Sequence, residues 1–425
     1  MTMYPEMDEK SILDDVQNRP VNPMIAYVHI PFCPSRCTFC HWITKTKSRA
    51  DEVDDYLDHL EKEMVLYRTK LGVDKIPVDS VLVGGGTPSY LSAKQMERFL
   101  SAFTNNFDLS NCTQFSLEPE PTTILGDEGL EKLKIMKDYG VNRLSMGVQS
   151  FDDKVLARMG RVHKHADTLK ALEQINKAGI ENTFIDLIYG YPDQSIEQWT
   201  KTMQEAVTLD IDGFQLYRLR IKPHGDRPGN ILKVYDKKAE SFPGVDKIYL
   251  MKMLGLVISR ENGFDEQQTR IFARKAESIS HYLRDSCCHL SDVVGVGVSS
   301  WSNLRGVFSL NVGDESLEQY YQLIDEGKVS INRGLVRTHD DEVRRRFILP
   351  LKNSFVHKQT FNLVTGETVQ DYFGEKIQWL KKVGLLDEDK EKVFMTARGL
   401  FFANEVAIQF FSEKYLPFPE LACAS

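Results

Sequence analysis

Three cysteines, Cys33, Cys37 and Cys40, close the run Tyr27-Val-His-Ile-Pro-Phe-Cys-Pro-Ser-Arg-Cys-Thr-Phe-Cys40. A CxxxCxxC loop directly after a hydrophobic strand has the spacing used for a [4Fe–4S] cluster. A cubane cluster has four iron corners and usually takes four thiolates, so a loop with three thiolates leaves one iron open to another ligand. That open iron is a reaction site. The competing readings are a zinc site, a disulfide pair or buried thiols. Structural zinc favours four protein ligands in two closely spaced pairs, and His41 directly after Cys40 is too close along the chain to complete a good tetrahedron.

Other residues have types suited to holding a ligand nearby. Gly84, Gly85 and Gly86 end an apolar run, where the missing side chains let the backbone approach a ligand closely, and Thr87 adds a hydroxyl acceptor. Alone, the same run also fits an ordinary βα turn. Glu118 ends another run in Leu117-Glu-Pro-Glu-Pro121, where two prolines stiffen a carboxylate at a pocket rim. Asp186 interrupts the apolar Phe184-Ile-Asp-Leu-Ile188, and a charge there is costly unless paired or ligand-bound. Arg218, Arg220, Lys222 and His224 gather further on. Strand alternation puts Arg218 and Arg220 on one side with Lys222 in line beyond them. The group suits an acidic substrate, and equally suits screened surface residues.

Such residues need a scaffold. From Ile25 to Lys222, short β-branched and aromatic runs alternate with amphipathic stretches, the pattern of βα units and a parallel sheet. Strands are expected at 25–30, 80–83, 114–117, 143–147, 183–188 and 213–219. Between them, 51–70 repeats Val53, Tyr56, Leu57, Leu60 and Met64 at helical spacing, and Ser92 caps a helix that buries Met96, Phe99, Leu100, Phe103 and Phe107. Gly140 and Gly179 mark left-handed helix exits. Six such units make a partial (β/α)6 TIM-like barrel, an α/β fold whose ligands lie at the carboxyl ends of the strands.

Beyond residue 223 the pattern changes to a turn-rich break (223–229), a helical stretch (247–261) and a glycine-spaced strand (293–300). The expected division is an N-terminal lead 1–24, the barrel 25–225, an extension covering the substrate 226–337, and a small, mainly helical C-terminal domain 338–425. In that last domain, Arg344-Arg345-Arg346 follows Asp340-Asp341-Glu342 and reads as a helix start of mixed charge, not as an anion site.

Composition sets the outer limits. The chain has 425 residues, with 53 Lys+Arg against 61 Asp+Glu and a formal charge of −8, so there is no global electrostatic case for nucleic acid. No apolar run approaches the roughly 18 residues that span a bilayer, and no signal-peptide core precedes Tyr27. The seven cysteines include Cys112, Cys287, Cys288 and Cys423 in no extracellular disulfide pattern. A cytoplasmic location is the expectation.

Five motifs recur in order: Tyr-Val-His-Ile-Pro-Phe-Cys at 27–33, Gly84-Gly-Gly-Thr-Pro88, Arg143-Leu-Ser-Met-Gly-Val-Gln-Ser150, Asp186-Leu-Ile-Tyr-Gly190, and the run at 396–402. On these the chain resembles the oxygen-independent coproporphyrinogen III oxidase-like branch of radical S-adenosylmethionine (radical SAM) enzymes, which includes methyltransferases and haem-methylating members. The resemblance implies that SAM sits on the open iron and is cleaved by one electron to a 5′-deoxyadenosyl radical. It further implies SAM contacts from Tyr27, from Phe39 on the adenine, and from Gly85, Gly86 and Thr87 at the amino group. Glu118 and Asp186 would bind hydroxyl or amino groups, Gln149 would lie near the methionyl part, and Arg161 would pair the carboxylate, with Arg158 as its rival.

Members of this branch differ in product. The true oxidases have a small residue and then a fourth cysteine after the third, where this chain has His41-Trp42. Its lead before the loop is also short. A haem-trafficking group carries His-Asn-x-x-Tyr-Trp, and the nearest match here, Ser280-His-Tyr-Leu-Arg284, lacks the Asn and Trp. The leading expectation is therefore transfer of a methyl or methylene group to an sp2 carbon of a flat conjugated acceptor. Two SAM molecules would take part, with His41 or Tyr217 as base and Arg218 and Arg220 meeting an acidic substrate. The alternatives are haem methylation with ring opening, oxidative decarboxylation of coproporphyrinogen III, and haem trafficking. An electron donor such as flavodoxin or ferredoxin is implied as partner.

Overall fold

The computed structural model describes residues 4–13, 20–221 and 229–415; Lys222, His224 and Cys423 lie outside them. Among the described residues, β1 (Met24–Ile30), β2 (Ile76–Gly85), β3 (Gln114–Leu117), β4 (Arg143–Gln149), β5 (Asn182–Tyr189) and β6 (Gly213–Arg218) lie side by side in chain order, each parallel to the next. β1 buries every residue but Tyr27, as a strand covered on both faces must. Helices α1 (Ala50–Leu71), α2 (Ala93–Asn106), α3 (Gly126–Asp138), α4 (Asp153–Met159), α5 (His165–Ala178) and α6 (Ile196–Ala206) fall between the strands. The alternation predicts this parallel α/β arrangement, and the resemblance implies its radical SAM type.

Local chemistry explains the joints. Ser92 caps α2 in a reciprocal pair with Gln95, and Phe103 of that helix stacks on Phe107 at 4.3 Å between centroids. Gly140 (φ 91°) and Gly179 (φ 73°) leave their helices in the left-handed region. The register aligns the functional ends: Ile30 pairs with Gly85, Gly147 with Asp186, and Asp186 with Gln215.

The sheet continues past the barrel at both sides. β7 (Asp265–Gln268) and β8 (Ile271–Ala273) add antiparallel strands beyond β6. On the other side β9 (Val293–Val296) runs parallel to β1, followed by antiparallel β10 (Trp301–Leu304), β11 (Val307–Asn311) and β12 (Ile331–Val336). The strand expected to reach Ser300 stops at Val296, because Gly297 (φ 96°) and Ser299 (φ 60°) turn the backbone out of the sheet. A buried carboxylate fastens this turn. Glu63 of α1 accepts hydrogen bonds from Gly297 N (2.6 Å), Asn311 Nδ2 (3.0 Å), Tyr320 Oη (2.9 Å) and Ser330 Oγ (2.9 Å), so its burial is compensated.

The C-terminal region has its own core around Phe347, Phe361, Phe373 and Phe410. It is mainly helical, with α7 (His339–Asn353), α8 (Lys358–Thr365) and α9 (Val369–Lys382). It also holds a small antiparallel sheet that its sequence pattern does not reveal, in which Lys392–Met395 lies between Phe355–His357 and Leu386–Glu388. Strands of three or four residues are too short to show a period. The arginine run falls inside α7, where Arg344 pairs with Asp340 at 2.9 Å and Arg346 with Glu342 at 3.4 Å. No helix among the described residues is long and apolar enough to cross a membrane.

Candidate active site

The carboxyl ends of β1 to β6 open into a cavity of about 470 Å³ bordered by Cys33, Cys37 and Cys40. Cys33 follows β1 and is buried; burial pushes its thiol up to about 12, against a hydrogen bond donated by Thr87 Oγ1 at 3.4 Å. The Cys37 sulfur accepts from Arg161 Nη1 at 3.4 Å. Gly86 is needed for close approach: a Cβ there would stand 2.8 Å from the Phe32 carbonyl oxygen and 3.0 Å from the Cys33 sulfur. Among the described residues, no three His, Cys, Asp or Glu side chains close on a single ion. The three sulfurs instead share one cavity wide enough for a group of several atoms. Two of them already accept a hydrogen bond from a hydroxyl or a guanidinium, the kind of contact that tunes cluster sulfurs. The donor set fits a [4Fe–4S] cluster.

Beside the thiols stands a group of buried charges. Asp186 on β5 accepts from Ser145 Oγ (3.2 Å) and Gln215 Nε2 (3.1 Å). Burial lifts its carboxyl to about 6. Burial and the nearby Asp186 lift Glu118 to about 7, and Gly84 leaves it room, since a Cβ there would come within 2.5 Å of Glu118 Oε2. Two carboxyls held near neutrality suit a ligand that brings ammonium and hydroxyl groups. Gln149, in a positive-φ backbone (68°) at a register shift of β4, also borders the cavity. So do Tyr27, Phe39, Gly85 and Thr87. Arg161 reaches the cavity, whereas Arg158 is exposed and does not border it, its carbonyl accepting from Tyr191 Oη at 2.8 Å.

The two expected bases, His41 and Tyr217, both line the cavity. His41 is buried, its Nδ1 2.9 Å from Gly229 N and its Nε2 3.2 Å from the Arg220 carbonyl oxygen. With these partners Nδ1 accepts from the Gly229 amide and Nε2 donates to the Arg220 carbonyl. His41 thus ties the cysteine loop to the segment after β6 while lining the cavity. Tyr217 Oη donates to Gln215 Oε1 at 2.9 Å. Burial and then Asp186 push its hydroxyl well up from the ordinary phenol range.

Arg218 and Arg220 line the same cavity, joined by Arg143 and Arg270, which the sequence reading did not pick out as site residues. Arg143 is 1% exposed, lies 4.3 Å from the Phe184 ring centroid, and leaves Nε and Nη2 without hydrogen bonds. Its signal was present: a cation heading an apolar strand obeys the same logic as Asp186. Arg270 comes from the turn between β7 and β8 (φ 69°) and lies over Tyr217 at 4.6 Å; a turn arginine gives no such signal. Lys352 of α7, whose carbonyl accepts from Thr269 Oγ1 at 2.5 Å, is brought to about 8 by burial and by Arg270 and Arg220. Among the described residues no carboxylate forms an ion pair with Arg218, Arg220, Arg270 or Lys352.

Comparison with known proteins agrees with this geometry. The radical SAM superfamily pattern matches residues 27–206, and the HemN C-terminal domain pattern matches residues 337–402. The heme chaperone HemW of Bacillus subtilis (strain 168) is 29% identical, covering 91% of this chain and 99% of its own. The oxygen-independent coproporphyrinogen III oxidase of Escherichia coli (strain K12) is also 29% identical, over 95% and 89%. In three dimensions the chain is similar to the E. coli coproporphyrinogen III oxidase HemN, a radical SAM enzyme, with a TM-score of 0.82, 27% identity and 96% of each chain covered. These relatives lend no support to methyl transfer, the leading expectation from sequence. They favour its tetrapyrrole alternatives.

Proposed function

The chain belongs to the oxygen-independent coproporphyrinogen III oxidase-like family of the radical SAM superfamily, and from that premise we propose that it acts on a tetrapyrrole bearing several carboxylate side chains. The observation that carries this reading is the set of cations without carboxylate partners, Arg218, Arg220 and Arg270, lining the same cavity as the three cluster cysteines. Partly buried cations with no carboxylate at ion-pair distance are favoured by an anionic ligand that comes among them. Guanidinium forks match carboxylates in bidentate geometry. Tyr282 and Trp301 add aromatic faces to the cavity for a flat macrocycle.

Cys33, Cys37 and Cys40 would hold the cluster, and Gly85, Gly86, Thr87, Glu118, Gln149, Arg161 and Asp186 would hold SAM. When bound, cluster and SAM supply one-electron cleavage of a sulfonium bond and hence a hydrogen-abstracting radical. The chain's own residues then orient the acceptor: Arg218, Arg220 and Arg270 fix its carboxylates, and Tyr217 donates a hydrogen bond through Oη. His41 keeps the cysteine loop closed over the strand ends. A flavodoxin- or ferredoxin-type donor would deliver the electron.

The test is anaerobic incubation of the reconstituted protein with SAM, a reductant and either coproporphyrinogen III or haem, read by mass spectrometry. Deoxyadenosine that forms only with a tetrapyrrole, together with a mass change in that tetrapyrrole, is the expected result. Loss of carbon dioxide marks the oxidase reaction. Methyl gain with S-adenosylhomocysteine would restore a second SAM molecule. Deoxyadenosine indifferent to both tetrapyrroles overturns the proposal. A haem-carrying role is the second reading, supported by the likeness to HemW over nearly all of both chains; haem bound stably without deoxyadenosine formation is its mark.

A further inference from the structure

Behind Cys37 lies a line of buried polar groups that the roles above leave unused. Glu120, the second carboxylate of the Leu117–Pro121 run, is 3% exposed. Its Oε2 accepts from Thr122 N (2.8 Å) and Thr122 Oγ1 (2.5 Å), and its own amide is held by Ser89 Oγ (3.2 Å). Its Oε1 stands 2.9 Å from His163 Nδ1 and 3.5 Å from Arg161 Nη2. His163 is 1% exposed, with Nε2 3.1 Å from the Val148 carbonyl oxygen. Arg161 Nε lies 3.3 Å from His163 Nδ1, its Nη2 donates to the Gly147 carbonyl oxygen at 2.5 Å, and its Nη1 points at the Cys37 sulfur. One guanidinium is thus hydrogen-bonded to the Gly147 carbonyl and the Cys37 sulfur, with the buried Glu120 and His163 packed behind it.

A buried carboxylate and imidazole around one arginine cost solvation, and they keep that arginine in a single orientation. Its orientation matters at Cys37. A cation against a thiolate sulfur favours whichever state of the attached group is more negative, because charge interactions strengthen away from water. We propose that Glu120 and His163 are positioning residues that hold the Arg161 guanidinium against the Cys37 sulfur, raising the reduction potential of the cluster and fixing the grip on the SAM carboxylate. The inference rests on the assignment of Cys33, Cys37 and Cys40 as cluster ligands. It is independent of the identity of the substrate.

The experiment is a double-mutant cycle on the full chain with reconstituted cluster, without any tetrapyrrole, comparing His163→Ala, Arg161→Ala and the pair. Midpoint potential is read by electron paramagnetic resonance titration, and SAM affinity by calorimetry. If His163 acts through Arg161, each single variant keeps the iron content of the wild type but lowers the potential and weakens SAM binding about tenfold, each tenfold step being about 1.4 kcal/mol. The pair should then be no worse than Arg161→Ala alone. His163→Asn, which keeps one donor for Glu120, should recover most of the wild-type potential. Unchanged potential and affinity in His163→Ala overturn the inference, as do effects that add in full to those of Arg161→Ala. Should His163→Ala fail to fold, an asparagine variant that folds but keeps a potential far below wild type overturns it as well. A wild-type chain that takes up no cluster overturns the cluster assignment and this inference with it, while leaving the tetrapyrrole reading to its own binding test.

Discussion

The two walls of the cavity keep their cations in opposite ways. On the cysteine side Arg161 meets the Cys37 sulfur, Glu120, the Gly147 carbonyl and His163. On the far side Arg218 leaves a buried Nε without a hydrogen bond, and no carboxylate among the described residues forms an ion pair with Arg218, Arg220 or Arg270. A cation whose orientation is fixed by groups of the chain is preorganised for a cofactor of constant shape. Cations without a carboxylate at ion-pair distance suit an anionic ligand that comes and goes.

The sharpest way to break the contrast is to remove the thiols. Replacing Cys33, Cys37 or Cys40 with Ala is expected to abolish iron–sulfur absorbance and SAM cleavage. Ala at Cys112, Cys287, Cys288 or Cys423 should do neither, and a cluster ligand among those four would end the open-iron argument. Next in size is the cofactor wall. Asp186→Asn should leave the cluster absorbance intact and weaken SAM binding about ten- to a hundredfold, as loss of a charge-assisted contact of about 1.5–3 kcal/mol requires. Unchanged SAM affinity would make Asp186 a strand contact only.

On the far wall the expected losses are smaller for each residue. Arg218→Ala and Arg270→Ala should each weaken binding of a free-acid tetrapyrrole by about tenfold, with little change in SAM affinity. The methyl ester of the same tetrapyrrole should bind wild type and variants alike. Equal binding of ester and acid to the wild type would show that the wall does not read carboxylates.

The smallest effect is one of pH. Glu118 is raised to about 7 in the fold, so the folded chain holds a proton there that the unfolded chain releases near 4.3. Its contribution is fully present below that unfolded value and is lost as pH rises toward 7. The stability of Glu118→Gln relative to wild type should therefore increase from pH 5 to pH 8 in urea titrations. A flat difference would mean that Glu118 is ionised in the resting fold.

Much of this was legible from residue types and spacing. The six barrel strands lie where β-branched runs occur, because a strand covered on both faces has few residue types open to it. Ser92, Gly140 and Gly179 mark helix ends because caps and left-handed exits are local demands. Asp186 was legible by its cost. His41 and Tyr217 show the limit: both have side chains suited to proton transfer, and neither sequence neighbourhood reveals that the Arg220 carbonyl and Gly229 amide take the two imidazole nitrogens or that Gln215 takes the phenol. A donor or acceptor finds its partner in space, across separations that spacing does not encode.

The sequence by itself determined the cysteine loop, the order of the βα units and the carboxyl-end location of the ligand residues, since each depends on periodicity or on neighbours a few residues apart. Tertiary structure alone decided that Arg270, from a turn beyond the barrel, and Lys352, from the C-terminal region, come close to Arg220. It alone decided that Glu120 and His163 close on Arg161. The physical reason is that charge interactions act through distance in the folded chain, and the long-range packing of helices and strand ends sets those distances.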